Sequence, residues 1–202
     1  GVVIPNPLEP RVPQFSIPVV DTVFFGKDVD ISYSVTNATR LTINDSIVPL
    51  SGVFRLSGVR ANTSLAFVAT YDKSEKTAMQ HIPVPIFGEY KSILMFTPPG
   101  KTGVWKSTKR ETYDSAQRAW RIAGNPFCQP TLFKRNGYTT WFNGLCNPGQ
   151  PNSESPYSLS EDGKSILWNG VAYNVVFEND TTLVRFFTNN LNQTFRETFL
   201  KN

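Results

Sequence analysis

The chain has 202 residues, of which 40% are hydrophobic, enough to bury the core of one large domain or two small ones; 20 Lys and Arg against 16 Asp and Glu give a net charge of +4. No run approaches the roughly 18 consecutive apolar residues of a membrane-spanning helix, and no charged-then-apolar signal segment opens the chain. The basic residues are densest at Lys106, Lys109, Arg110, Arg118 and Arg121, interleaved with Ser, Thr, Gln and Ala; without a phosphate-cradling loop this reads as a solvated strand face, and nucleic acid is not expected as a partner.

In chain order, residues 1–18 carry Pro5, Pro7, Pro10, Pro13 and Pro18, which predicts an extended tether with little helix or sheet. Residues 19–87 read as short strands. Val29, Ile31, Tyr33 and Val35 alternate with Asp30, Ser32 and Ser34, the period of a strand with one buried face. Leu41 and Ile43 repeat it after a turn at Asn37-Ala38, and Leu65, Phe67 and Ala69 after Ala61-Asn62, a spacing that suggests a β-sandwich. Pro83, Pro85 and Gly88 break the pattern, so a domain boundary is placed near residue 88. Ile93 to Phe96 follow in the junction, either plugging the base of the second domain or packing between the two.

Residues 88–202 read as a meander. A strand from Val104 to Tyr113 turns at Asp114-Ser115 and returns through Trp120 and Ile122, with a short helix over 115–123 as the alternative, since Ala116, Ala119 and Ala123 tolerate it. Asn136-Gly137, Asp162-Gly163 and Asn169-Gly170 are expected to make tight type I′ turns between antiparallel strands. The segment from Asn147 to Pro156, rich in Asn, Pro and Ser, is expected to be a loop. A meander of this length avoids open edges most simply by closing into a barrel, and a closed barrel can hold a ligand.

Little here resembles catalytic machinery. His81 is the sole histidine, so a Ser-His-Asp arrangement would have to be built around it. Glu111 with Asp114, or Glu178 with Asp180, read as solvated turn formers before they read as a glycosidase pair. No catalytic residue, metal ligand or cofactor is expected. Cys128 and Cys146, the only cysteines, flank one strand pair and read as a disulfide, with two buried thiols as the alternative. The aromatic residues are the stronger signal: Phe133, Tyr138, Trp141, Trp168, Tyr173 and Phe186, with Arg185, are the candidate lining of a barrel interior, where they either fill it or wall a cavity.

Two resemblances add to this. Gly26-Lys27-Asp28-Val29-Asp30-Ile31-Ser32-Tyr33-Ser34-Val35-Thr36-Asn37-Ala38 resembles the immunoglobulin-like domains of bacterial cell-envelope proteins, with Tyr33 where Trp is commoner. Gly103-Val104-Trp105 resembles the Gly-x-Trp that opens the first strand of lipocalins, where the Trp closes one end of the barrel under a late-strand Arg; Arg196 is the expected partner and Arg185 the second candidate. Together with the cysteine pair, Ser160-Glu161-Asp162-Gly163-Lys164 and Arg196-Glu197-Thr198, it resembles the lipocalin-like domains of lipoproteins from Gram-negative gut bacteria. The resemblances imply an all-β chain, an immunoglobulin-like β-sandwich followed by a lipocalin-like antiparallel β-barrel, at the bacterial periplasm or outer-membrane surface, reaching the membrane only through a lipid anchor absent from this chain. The expected function is non-catalytic binding of a small apolar or glycan-derived ligand in the barrel; the alternative is a structural or assembly component of a surface complex, partnered by other surface proteins, with a filled barrel. Five Asn-x-Ser/Thr sequons read as incidental in such a protein, and short Asp-Ser/Thr-apolar sites such as Asp21-Thr22-Val23 resemble bacterial O-glycosylation sites.

Overall fold

The computed structural model describes residues 12–72 and 76–202. The fold is all-β with one short helix, and the chain divides into two units between Glu89 and Tyr90.

The first unit has two antiparallel sheets. One joins β1 (Gln14–Ser16), β2 (Lys27–Thr36) and β5 (Ser51–Val59); the other has the order β4 (Ser46–Val48), β3 (Arg40–Ile43), β6 (Thr63–Tyr71), β7 (Lys76–Val84). Alternation decides what they bury: Ile31, Tyr33 and Val35 of β2 and Leu41, Ile43, Leu65, Phe67 and Ala69 of the second sheet share one core. Phe67 sits at its centre, fully buried, with the Tyr33 ring 5.6 Å and the Phe15 ring 6.5 Å away. The expected tether over 1–18 lies outside the described residues up to 11, and from Gln14 it is replaced by β1. Between Pro13 and Pro18 these three residues keep their N–H groups, and Phe15 packs edge-on against Phe67. Asn44 and Asp45, at φ 47° and 67°, form a two-residue type I′ link between β3 and β4 that a Gly-based reading overlooked.

The second unit opens within α1 (Glu89–Met95), at Tyr90. Its strands are β8 (Trp105–Asp114), β9 (Ala119–Ile122), β10 (Thr131–Phe133), β11 (Tyr138–Trp141), β12 (Ser153–Leu159), β13 (Ser165–Trp168), β14 (Val171–Asn179), β15 (Thr182–Thr188) and β16 (Thr194–Lys201). Each pairs antiparallel with its successor from β10 to β16, β16 pairs with β8, and the Thr131–Trp105 pair joins β10 back to β8. The sheet therefore closes on itself through eight strands, with β9 as a side hairpin on β8. Ala119–Ile122 is a strand and not a helix because Tyr113 and Trp120 pair across it, their rings 5.3 Å apart.

Two turn expectations change. Asn169 and Gly170, at φ 50° and 76°, make the expected I′ turn, but at 136–137 and 162–163 only the glycine has positive φ. There the connections are longer, and the Asp162 carboxylate accepts from the Ser160 hydroxyl and the Lys164 N–H, which hold it below the usual carboxylate range. The segment expected as loop to Pro156 is already strand from Ser153. Pro156, with no N–H to donate, stands just outside the Tyr157–Trp168 pair that ends the ladder to β13, so no ladder bond is lost, and its carbonyl accepts the Asn169 N–H at 3.2 Å.

Candidate functional site: the interior of the closed sheet

One end of the closed sheet is plugged from α1. Trp105, fully buried, donates its indole N–H to the Leu94 carbonyl at 2.9 Å, and Leu94 is itself fully buried. Gly103 makes the approach to Trp105 feasible: at φ 67° it carries no side chain, and a Cβ there would lie 2.1 Å from the Thr97 hydroxyl. The cation over the indole is Lys201, its ammonium 4.9 Å from the ring and bonded to the carbonyls of Ile93 and Phe96. Neither Arg196 nor Arg185 fills that role. Lys201 stands opposite Trp105 in register, five residues beyond Arg196, and an odd spacing along a strand puts the two on opposite faces. Arg196 faces outward, 4.6 Å over Trp120, and donates to Glu111 at 2.7 Å.

That outward Glu111 is buried under Arg196, with Lys109 at 2.8 Å. The bond from Arg196, helped by Lys109 and opposed by burial, holds its carboxyl below the usual range, so it is kept as an anion and not as a proton donor. Asp114 is occupied by the N–H groups of Ala116 and Gln117 and by Arg121.

Inside, the candidate lining separates by parity. Phe133, Trp141, Trp168, Tyr173 and Arg185 come together. Trp168 has the rings of Phe133 at 4.9 Å, Trp141 at 5.9 Å, Phe199 at 5.8 Å and Tyr173 at 6.5 Å. Tyr138 instead is 45% exposed while its neighbour Thr139 is fully buried, so it faces out. Phe186 also faces out, 6.2 Å from Trp120, because Arg185 and Phe187 on either side of it face in.

The sequence reading missed the centre of this interior, which is polar. Glu197, fully buried on β16, accepts from Arg185 Nη2 at 2.8 Å and Nε at 3.2 Å through Oε2, and through Oε1 from the Ser107 hydroxyl and the Phe127 N–H, both at 2.7 Å. The Arg185 guanidinium is walled by aromatic rings: Tyr173 at 4.7 Å, Phe199 at 4.9 Å, Trp168 at 5.0 Å and Phe127 at 5.2 Å. Phe127 belongs to the strap between β9 and β10, which covers the seam where β10 and β8 share a single ladder pair; the disulfide Cys128–Cys146, with Cα atoms 5.7 Å apart, ties the strap down. Thr139 adds a second buried polar contact, accepting the Trp141 indole N–H at 2.7 Å and sharing a 2.9 Å bond with Ser155. Arg110, read as part of a solvated face, points inward over Phe187 at 5.1 Å and Phe195 at 5.4 Å. Thr108 is skipped between the Lys109–Thr198 and Ser107–Phe199 pairs, and this bulge on β8 shifts the register and turns Arg110 inward.

Among the described residues no group of three or more His, Cys, Asp or Glu side chains could hold a metal, and no helix is long and apolar enough to cross a membrane. His81 is exposed on β7. Compared with protein-family models, with curated proteins and with solved structures, the chain matches none.

Proposed function

We propose that the chain is a non-catalytic cell-envelope protein in which an immunoglobulin-like spacer precedes a lipocalin-like barrel, and that the barrel is filled and serves as a structural or assembly component of a surface complex. The observation that carries this is the burial of the side chains around the Arg185–Glu197 pair. Trp168 is 1% exposed, Phe133 2%, and Phe199 and Glu197 0%, so no water-sized void lies against them. A ligand at the centre would have to part those rings and break the bonds to Glu197. The β8–β9 hairpin, by contrast, leaves Ile122 78% and Tyr113 42% exposed, which supports a contact with another surface protein there.

A photo-crosslinking residue at Ile122, introduced into the protein on cells of its source, tests the proposal alongside titration of the purified protein with fatty acids and aromatics. One discrete protein adduct and an unchanged Trp fluorescence are expected. A saturable fluorescence change that disappears in Trp168→Phe, with no adduct, would return the function to binding a small apolar or glycan-derived ligand in the barrel.

A further inference from the structure

The wall of the closed sheet is split at one place. The β14–β15 ladder ends at the Asn174–Phe186 pair. Beyond it each strand keeps only its other neighbour, Tyr173 pairing with Ile166 of β13 and Phe187 with Phe195 of β16. A cleft of about 280 Å³ occupies the split. Because the ladder is open there, the cleft is lined from both faces: by the inward rings of Tyr173 and Phe187 and by the outward side chains of Asn174, Phe186 and Thr188.

Three features of the cleft select its ligand. Every described residue lining it is uncharged, so an ionic ligand would give up water there without meeting a counter-charge. Each lip carries a cross-strand pair of small polar groups, Ser165 with Asn174 on β13 and β14, and Thr188 with Thr194 on β15 and β16. Among the described residues these four side chains have no hydrogen-bond partner, so their hydroxyls and the amide are free to meet a ligand. The floor is aromatic and held in place: the Tyr173 ring lies 4.7 Å from the Arg185 guanidinium, and Phe187 stacks on Phe195 at 5.1 Å. The rings of Tyr173 and Phe187 meet at 86° with centroids 6.5 Å apart. That is a corner and not a parallel slot, which suits a puckered ring with C–H groups on both sides better than a flat heterocycle. The strand edges left open in the split, 171–173 and 187–188, are shorter than the strand a peptide would add.

We infer that this cleft binds one neutral hexopyranose ring, its C–H groups against Tyr173 and Phe187 and its hydroxyls on Asn174, Ser165, Thr188 and Thr194. The volume, at the low end for a ligand site, suits a single ring, either a free monosaccharide or the end of a glycan. The site goes beyond the structural role proposed above and does not rest on it.

The test is titration of the whole protein, followed by backbone amide chemical shifts, with the methyl β-pyranosides of glucose, galactose and mannose. Saturable shifts at Asn174, Thr188 and Thr194 are expected for at least one of them, with a Kd on the order of 1–10 mM. Tetrahydropyran has the ring without hydroxyls, sorbitol the hydroxyls without the ring, and uridine a flat ring; each should bind at least about tenfold more weakly. The Asn174→Ala, Thr188→Val double variant, at two exposed positions, should weaken the glycoside about tenfold. A disaccharide ending in the same sugar supports a site for glycan ends if it matches the glycoside, and a site for the free sugar if its binding is lost. The proposal is overturned by no saturable shift up to about 100 mM, by shifts confined to residues outside the cleft, by any of the three control compounds binding as tightly as the glycoside, or by unchanged affinity in the double variant. If the double variant does not fold, the shift map and the control compounds decide.

Discussion

Arg185 and Glu197 face each other in register on β15 and β16 and close their ion pair at 2.8 Å, with the Glu197 side chain fully buried and the Arg185 side chain 8% exposed. Two charges removed from water this completely stabilise a fold only when every remaining donor and acceptor is used, and here Ser107 and Phe127 use the second carboxylate oxygen. Breaking the pair from one side leaves a bare guanidinium among aromatic rings. Glu197→Ala should therefore lose about 3–5 kcal/mol in urea unfolding. Arg185→Met combined with Glu197→Leu should lose less than Glu197→Ala alone. A double variant as unstable as the sum of its singles would show that the pair is not coupled.

The indole of Trp105 and the ammonium of Lys201 define the plugged end. Trp105→Ala should cost about 3–5 kcal/mol, as large core truncations do. Lys201→Met keeps the aliphatic stem and removes the cation over the ring and its bonds to Ile93 and Phe96; a loss of about 1–2 kcal/mol is expected. Equal stability of Lys201→Met and the parent would remove Lys201 from the plug.

The disulfide fixes the strap that brings the Phe127 N–H to Glu197. Intact mass and alkylation should show two thiols only after reduction. Reduction should then lower stability by about 3 kcal/mol for a loop of this length. Because Phe127 lies 5.8 Å from Trp141, the Trp emission of the reduced protein should also shift. Full alkylation of the denatured, unreduced protein would refute the bridge.

Glu111 sets a pH dependence. Its folded pKa is depressed, first by the bond from Arg196, so its contribution to stability is complete above the unfolded carboxylate pKa and is lost as pH falls through the folded value. Between about pH 5 and pH 2, Glu111→Gln should lose stability less steeply than the parent. Parallel curves for the two proteins would assign the acid sensitivity elsewhere.

Strand positions in both units were legible because their buried faces alternate, as at Ile31, Tyr33 and Val35 and at Ile166 and Trp168. Which face points inward was harder. Arg185 and Phe186 are adjacent, as are Phe195 and Arg196, and only the closed register decides which of each pair is inside; the bulge beside Thr198 shifts that parity again for Arg110. Glu197 and Phe127 were missed for another reason. A lone Glu in a strand reads as solvent-facing, and a loop Phe has no period, until the seam between β8 and β10 brings a strap across it. The Asn44-Asp45 turn was invisible to a search for glycine pairs, although Asn and Asp both tolerate positive φ.

Gly163 offers the sharpest test of how α1 seats in the second unit. It is buried at φ 68°, and a Cβ there would lie 2.3 Å from the Tyr90 ring, which packs in turn 5.5 Å from Phe177. Alanine would thus meet two penalties, a left-handed backbone costing about 1 kcal/mol and a clash with a ring that belongs to the first turn of α1. Gly163→Ala should lose about 2–4 kcal/mol, combining the backbone cost with overpacking. In Tyr90→Ala the clash is gone, so adding Gly163→Ala to that background should cost only the backbone part. A coupling of at least about 1 kcal/mol between the two substitutions is expected in the double-mutant cycle. If the two losses simply add, Tyr90 does not rest on Gly163 in solution.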